Sequence, residues 1–200
     1  MKKLMRERVK DLKRELVLEH AGRYFEEVGF EAVTMAELAR KCEMSVGALY
    51  KLFDSKDALF YAYVEYQIKA LYDEILEASR GVEDTRAKLR IIIEKKFETF
   101  CAKSKLIFDP IAGDPLFFTK LSKSRQNPAQ IIYDYTASLF AKLAQEQQLK
   151  TDDAMQLAYL FHNFLLGFIE YWLHFGGDLQ SESERALRLF FTGIVENESN

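Results

Sequence analysis

His20, His162 and His174 are the only histidines of this 200-residue chain, and Cys42 and Cys101 its only cysteines. No CxxC or HExxH spacing joins them, so neither a disulfide framework nor a zinc site is signalled, and a reducing cytoplasm is the expected compartment. A GxSxG elbow, a GxGxxG turn and a GxxxxGK phosphate loop are absent too. Catalysis is therefore not expected, nor a metal, nor a cofactor. Glu170 and His174, at i and i+4, share a helix face. Two candidate ligands do not complete a three- or four-ligand metal site, and the pair reads as an ion pair on a helix surface or at an interface. His162, inside the apolar stretch Tyr159 to Phe164, is either a hydrogen-bonded core histidine or a group that orients a ligand.

A different chemistry lies between Thr34 and Lys56. Ser45 opens a short helix whose first turn, Val46, Gly47 and Ala48, carries no acid, so its backbone N–H groups remain free of negative charge. Tyr50 and Lys51 add donors one turn later, and Ser55 with Lys56 sets a second helix N-terminus and a cation beside them. These are groups that bind phosphate, and Gly47 and Ala48 let a backbone approach a groove closely. Two short capped helices within this span match a helix-turn-helix. The same spacing also suits two short helices packed into an all-α core.

The elements that must hold these residues are helical. Hydrophobic residues make up 48% of the chain and aromatic ones 14%, with nine Gly and three Pro, which excludes disorder and leaves few turns for an all-β fold. Leu12, Leu16, Tyr24 and Val28, with Ala21 and Phe25 beside them, predict an amphipathic helix over about residues 8–28, ended by Gly29 with Phe30 folded back on Phe25. Thr34 and Glu37 form a capping box, stapled by Val33 and Leu38, for a helix over about 35–42. Ser45 caps the next, about 46–52, with Met44 and Leu49 as its staple. Ser55 caps a long helix, its face Phe60, Val64, Ile68, Leu71 and Ile75, ending near Gly81. A fifth helix runs from Asp84 or Thr85 to about Cys101, and Asp109-Pro110 and Asp114-Pro115 mark a kinked connection. Asn127-Pro128 opens a helix to about Gln148, Thr151 or Asp152 opens one to Gly176-Gly177, and a capping box of Ser181 and Glu184 starts the last. The expectation is an all-α chain of about nine helices. An uninterrupted apolar run such as Phe164 to Ile169 is far short of the ~20 residues of a membrane span, and the basic start leads into no signal-peptide core.

Charge divides the chain. The net charge is −3 overall, yet residues 1–14 carry +5, residues 1–60 carry +1 and residues 61–200 carry −4. A basic head on an acidic body suggests two tasks, although a solvated tail accounts for the head equally well.

Three segments taken together, Phe25-Glu26-Glu27-Val28-Gly29-Phe30, Val33-Thr34-Met35-Ala36-Glu37-Leu38-Ala39 and Ser45 through Phe60, resemble the N-terminal domain of the tetracycline-repressor (TetR) family in order, spacing and residue type. Beyond residue 60 the resemblance is one of layout. It implies a dimeric transcriptional regulator, usually a repressor, that leaves a double-stranded, palindromic DNA operator when a small-molecule effector enters the C-terminal domain. Carried over by position, Thr34, Tyr50 and Lys56 match the family's phosphate contacts. Val46, Gly47 and Ala48 match the base-facing start of its recognition helix, with Met35 and Ala36 beside them. None of these five base-facing residues has a bidentate hydrogen-bonding side chain, so readout through thymine methyls and DNA shape is expected. The basic head resembles N-terminal extensions that add phosphate or minor-groove contacts. Glu43 departs from the family, standing where Gly is common in the turn, and so does Leu52, where an aromatic or His is common.

The body carries 21 of the 27 aromatic residues, which makes an apolar cavity between helices plausible, with a few polar groups in its wall. Its expected lining is Phe97, Cys101, Phe117, Phe118, Tyr133, His162 and Asn163. The helix from Leu157 to Phe175 is apolar nearly all round, through Leu157, Leu160, Phe161, Phe164, Leu165, Phe168, Ile169 and Trp172. With Leu187, Phe190, Phe191, Ile194 and Val195 of the last helix it would leave an exposed patch in a monomer, so a homodimer through the last two helices is expected. Gly167 permits close approach there, or packing within one subunit. The division expected is a DNA-binding domain, residues 1–56, and a ligand-binding and dimerisation domain, residues 57–200.

Overall fold

The computed structural model describes residues 2–103, 127–147 and 149–194, with side chains from Leu4 onward. Phe117, Phe118 and the two Asp-Pro steps of the connection lie outside the described residues. Among the described residues there are eight α-helices, one 3-10 turn and no strand, the all-α class expected from composition and caps. The chain falls into two units that divide after Lys69, within the fourth helix.

The first unit holds α1 (Lys2–Val28), α2 (Met35–Lys41), α3 (Val46–Tyr50) and the start of α4 (Lys56–Ala78). Its core joins Val17, Leu18, Ala21 and Phe25 of α1 to Leu38, Leu49, Phe53, Leu59, Phe60 and Tyr63. α1 begins at Lys2, earlier than periodicity indicates, and it buries a different face. Leu12, Leu16 and Val28 are exposed, while Val17, Leu18, Ala21 and Phe25 are buried. The helix carries two apolar stripes, and spacing alone cannot tell which one meets a partner. Gly22 decides it, because a Cβ there would overlap the Tyr63 ring, so this is where α4 approaches α1.

The turns follow from backbone chemistry. Gly29 adopts φ +82° and donates to the Phe25 carbonyl at 2.9 Å, and Phe30 rests 5.9 Å from the Phe25 ring. At the end of α2, Met44 N donates to Ala39 O and Glu43 N to Arg40 O, the paired bonds of a Schellman cap. That cap requires a left-handed residue, and Glu43 supplies it at φ +51°. α3 is shorter than expected, closing at Tyr50 where Leu52 N and Phe53 N both turn back to Leu49 O.

In the second unit, α5 (Thr85–Ala102), α6 (Gln130–Glu146), α7 (Ala154–Phe175) and α8 (Ser183–Ile194) pack together. Asp84 caps α5 and Asp153 caps α7 through side-chain oxygens. Leu89, Ile92, Ile93, Phe97, Phe140, Phe161 and Leu165 fill its core. Gly176 and Gly177, at φ +73° and +107°, turn the chain. The expected Ser181 and Glu184 capping box does not form. Asp178 accepts from Ser181 N, a 3-10 turn occupies Gln180–Glu182, and α8 starts at Ser183. α7 is not buried all round in the single chain: Leu160, Tyr171 and Phe175 are exposed, while Leu187, Phe190 and Phe191 of α8 pack inside. Uncovered apolar side chains thus remain on both of the last two helices, those three on α7 and Leu189 on α8, while Val195 lies outside the described residues.

A non-glycine in the left-handed region costs roughly 1 kcal/mol. Glu43→Gly is expected to stabilise the protein by up to that amount, read as a higher urea midpoint with an unchanged slope; a lower midpoint would mean that the Glu43 side chain contributes more than its backbone costs.

Candidate nucleic-acid interface

α2 and α3 have seven and five residues, too few to persist alone, and their caps are accordingly complete. Thr34 Oγ1 accepts from Glu37 N at 3.2 Å, and Glu37 Oε2 accepts from both Thr34 N and Thr34 Oγ1. These bonds hold the Glu37 carboxyl below its usual range. Ser45 Oγ accepts from Ala48 N at 3.2 Å, and Ser55 Oγ accepts from Ala58 N at 3.0 Å at the head of α4. From below, Leu49 is fully buried and Phe53 is 2% exposed.

With that side anchored, the opposite side of α3 is open. Ser45, Val46, Gly47, Tyr50 and Lys51 are exposed and Ala48 is half-buried, and a Cβ built on Gly47 would meet nothing within 4 Å. Nothing inside the fold requires a glycine there. Thr34 and Ala36 are exposed at the start of α2, but Met35 points into the core at 8% exposure. Lys56 is partly committed: Nζ donates to Phe30 O at 3.1 Å and Glu31 O at 3.4 Å and lies 4.2 Å over the Phe30 ring. One of its three N–H groups remains for an anion.

The other candidate residues lie in the second unit. Phe97 is fully buried in the core and Cys101 is half-buried, its thiol pushed up by burial and by Asp178. Tyr133 stacks on Tyr159 at 4.4 Å and meets the His162 ring edge-on at 4.6 Å. Asn163 faces away from this group, exposed, and its Nδ2 donates to Tyr159 O. His174 Nδ1 lies 2.8 Å from the Glu170 carbonyl oxygen, so the backbone and not the carboxylate is its partner.

His162 sits in a buried polar layer that crosses three helices. Thr136 Oγ1 donates to Ile132 O at 2.8 Å, so its oxygen is left to accept from His162 Nε2 at 2.9 Å, which puts a proton on Nε2. Lys96 Nζ donates to the His162 carbonyl at 3.3 Å, and burial lowers this ammonium to about 8. Sequence reasoning missed Lys96, because a lysine between Lys95 and Phe97 reads as part of a solvated face.

A unit of α1 to α3 and the start of α4 that presents a capped five-residue helix outward, followed by a body that is helical among the described residues, defines a helix-turn-helix protein. Residues 17–63 match the family model described as bacterial regulatory proteins, tetR family. The chain is 25% identical over 138 residues to the HTH-type transcriptional regulator YuxN of Bacillus subtilis, a match covering 66% of this chain and 47% of the relative. The chain thus spans about half the length of that relative. It is also 25% identical over 169 residues to the nucleoid occlusion factor SlmA of Glaesserella parasuis, covering 84% and 82% of the two chains. The fold is shared with FadR of Bacillus subtilis, solved in complex with stearoyl-CoA, at a TM-score of 0.74 and 15% identity over 90% of this chain and 98% of that one.

Burial and the neighbouring Lys96 charge hold the His162 imidazole well below its usual 6.5. The stability this neutral histidine allows is present above pH 6.5 and lost as pH falls below it, because the unfolded chain binds a proton that the folded one refuses. Unfolding free energy is expected to drop by about 1–2 kcal/mol more between about pH 7 and pH 5 in the native protein than in His162→Gln; parallel profiles would show that the folded protein tolerates the imidazolium.

Proposed function

We propose that this chain is a sequence-specific DNA-binding transcriptional regulator, a homodimeric repressor that leaves its operator when a small apolar or aromatic ligand enters its C-terminal domain. In this reading residues 1–56 bind DNA, and residues 57–200 form the dimer and the ligand site. The observation that carries it is the outward face of α3, where a capped, acid-free first turn is followed by Tyr50 and Lys51. Val46, Gly47 and Ala48 meet base edges, with Ala36 and the backbone at Met35 beside them. Thr34, Ser45, Tyr50, Lys51 and the free N–H of Lys56 take phosphates.

In a dimer the two recognition helices enter successive major grooves about 34–36 Å apart. α4 contributes to both units, so a ligand that binds one setting of α4 more tightly than another changes that spacing. FadR with its bound stearoyl-CoA supports a ligand-holding body. The regulator reading, shared with the relatives, goes with a non-enzymatic protein that works in the cytoplasm without a cofactor. Among the described residues no helix is long and apolar enough to cross a membrane. A second reading, a chromosome-organising protein that binds DNA without an inducer, is favoured by the similarity to a nucleoid occlusion factor over most of both chains.

Selection from a random DNA library is expected to enrich a palindrome. Tyr50→Phe combined with Lys51→Gln is expected to weaken binding to it by about tenfold or more and to lower the slope of log affinity against log salt by about 0.9, with an unchanged melting temperature. Undiminished binding would refute these contacts. The dimer is expected to rest on the uncovered face of α7, so Phe175→Glu, at a side chain 75% exposed, should yield monomers in sedimentation and abolish palindrome binding; dimers of native affinity would move the interface elsewhere.

A further inference from the structure

We infer that Arg14 is a positioning residue that sets the recognition helix, and not one of the cations that touch DNA; the inference rests on the DNA-binding reading above. By sequence Arg14 belongs to the basic head with Arg6, Arg8, Lys10 and Lys13. In the fold it stands apart, for those four are exposed and Arg14 is half-buried. Its Nη1 donates to Leu52 O at 2.7 Å, and its guanidinium carbon lies 4.2 Å over the Phe53 ring.

Both contacts fall on the turn that closes α3. A helix of five residues leaves most of its C-terminal carbonyls without an intrahelical donor, and this end carries partial negative charge. Leu49 O already accepts from Leu52 N and Phe53 N. Arg14 supplies a charged donor to the Leu52 carbonyl in the turn beyond, and its guanidinium covers the buried Phe53 ring. One and two turns further along α1, the same face is seated in the core by Val17, Leu18 and Ala21. A rigid 27-residue helix thereby fixes the rotation of a five-residue one that has little stability of its own. A planar fork can hydrogen-bond a carbonyl while lying flat on a ring. An ammonium offers no such plane, so lysine is no substitute.

The test compares Arg14→Gln and Arg14→Lys with Lys13→Gln, which removes an exposed charge one residue away. In the native, DNA-free protein, amide hydrogen exchange at residues 46–53 is expected to accelerate by about tenfold in both Arg14 variants, with exchange at residues 18–28 unchanged and Lys13→Gln like the native chain. On the selected palindrome, both Arg14 variants are expected to bind about tenfold more weakly at an unchanged salt slope. Native exchange across residues 46–53 in both variants would overturn the inference whatever the protein does with DNA. So would a slope lower by about 0.9 in Arg14→Gln with affinity restored by Arg14→Lys, the signature of a phosphate ligand. If the native protein selects no sequence, the DNA-binding reading fails, and with it the assignment of Arg14 to recognition, even where exchange shows that it holds α3. Arg14→Lys keeps the charge and the long stem, so it serves as the folded comparison should Arg14→Gln unfold.

Discussion

A helix of five residues must be held from outside, and in the first unit most features exist to hold one. α3 forms one full turn, fewer hydrogen bonds than repay the ordering of its backbone. It persists because Ser45 fills its N-cap, Leu49 and Phe53 bury their side chains beneath it, and Arg14 fastens the carbonyl beyond its end. α2 is held in the same manner by the Thr34 and Glu37 box and the Schellman cap at Glu43. The anchors all lie on one side, which is why the other side is left with a surface that has no structural duty: Val46, Gly47, Tyr50, Lys51. Gly47 is the clearest sign, a glycine at neither a turn nor a close contact, in a helix it weakens by roughly 1 kcal/mol relative to alanine.

The second unit solves a different problem. Its core is aromatic, with Phe140, Phe161 and Phe190 meeting edge-on or tilted at 5.0–5.9 Å. Through it passes a polar layer of Lys96, His162 and Thr136 whose groups satisfy one another across three helices. Such a layer adds little net stability and specifies which helices lie together, because any slip leaves a buried donor or acceptor unpaired. It also sets the His162 imidazole edge-on against the Tyr133 ring, which stacks in turn on Tyr159.

Local chemistry made much of this legible in the sequence. Caps act over three or four residues, so Thr34, Ser45, Ser55 and Asp84 announce the starts of four helices, and Gly29 and Gly176 announce the ends of two. At Glu43 the sequence left open whether the turn keeps a left-handed residue, and φ +51° shows that it does. What failed was everything that needs a third dimension. α1 has two apolar stripes, and only the contact of Gly22 with Tyr63 selects Val17, Leu18, Ala21 and Phe25 over Leu12, Leu16 and Val28. Met35 reads as a groove residue beside Ala36, yet the first turn of α2 rotates it inward. Ser181 loses its expected cap because Asp178, three residues earlier, captures its amide first.

The basic head shows why charge read along a chain misassigns roles. Arg6, Arg8, Lys10, Lys13 and Arg14 are alike in sequence, and counted together they predict a phosphate-binding arm. Position on the helix separates them: Arg8 and Lys13 lie on other faces, and Lys10, on the same face as Arg14, comes one turn earlier, ahead of the first buried residues. Arg14 lies on the side that faces Phe53, and once its guanidinium is stacked there its charge belongs to the end of α3 and is no longer free for DNA. A cation bound in this way still affects recognition, through where α3 points and not through attraction to phosphate. Salt separates these two effects, since counterions compete with a phosphate contact and leave a buried hydrogen bond almost untouched.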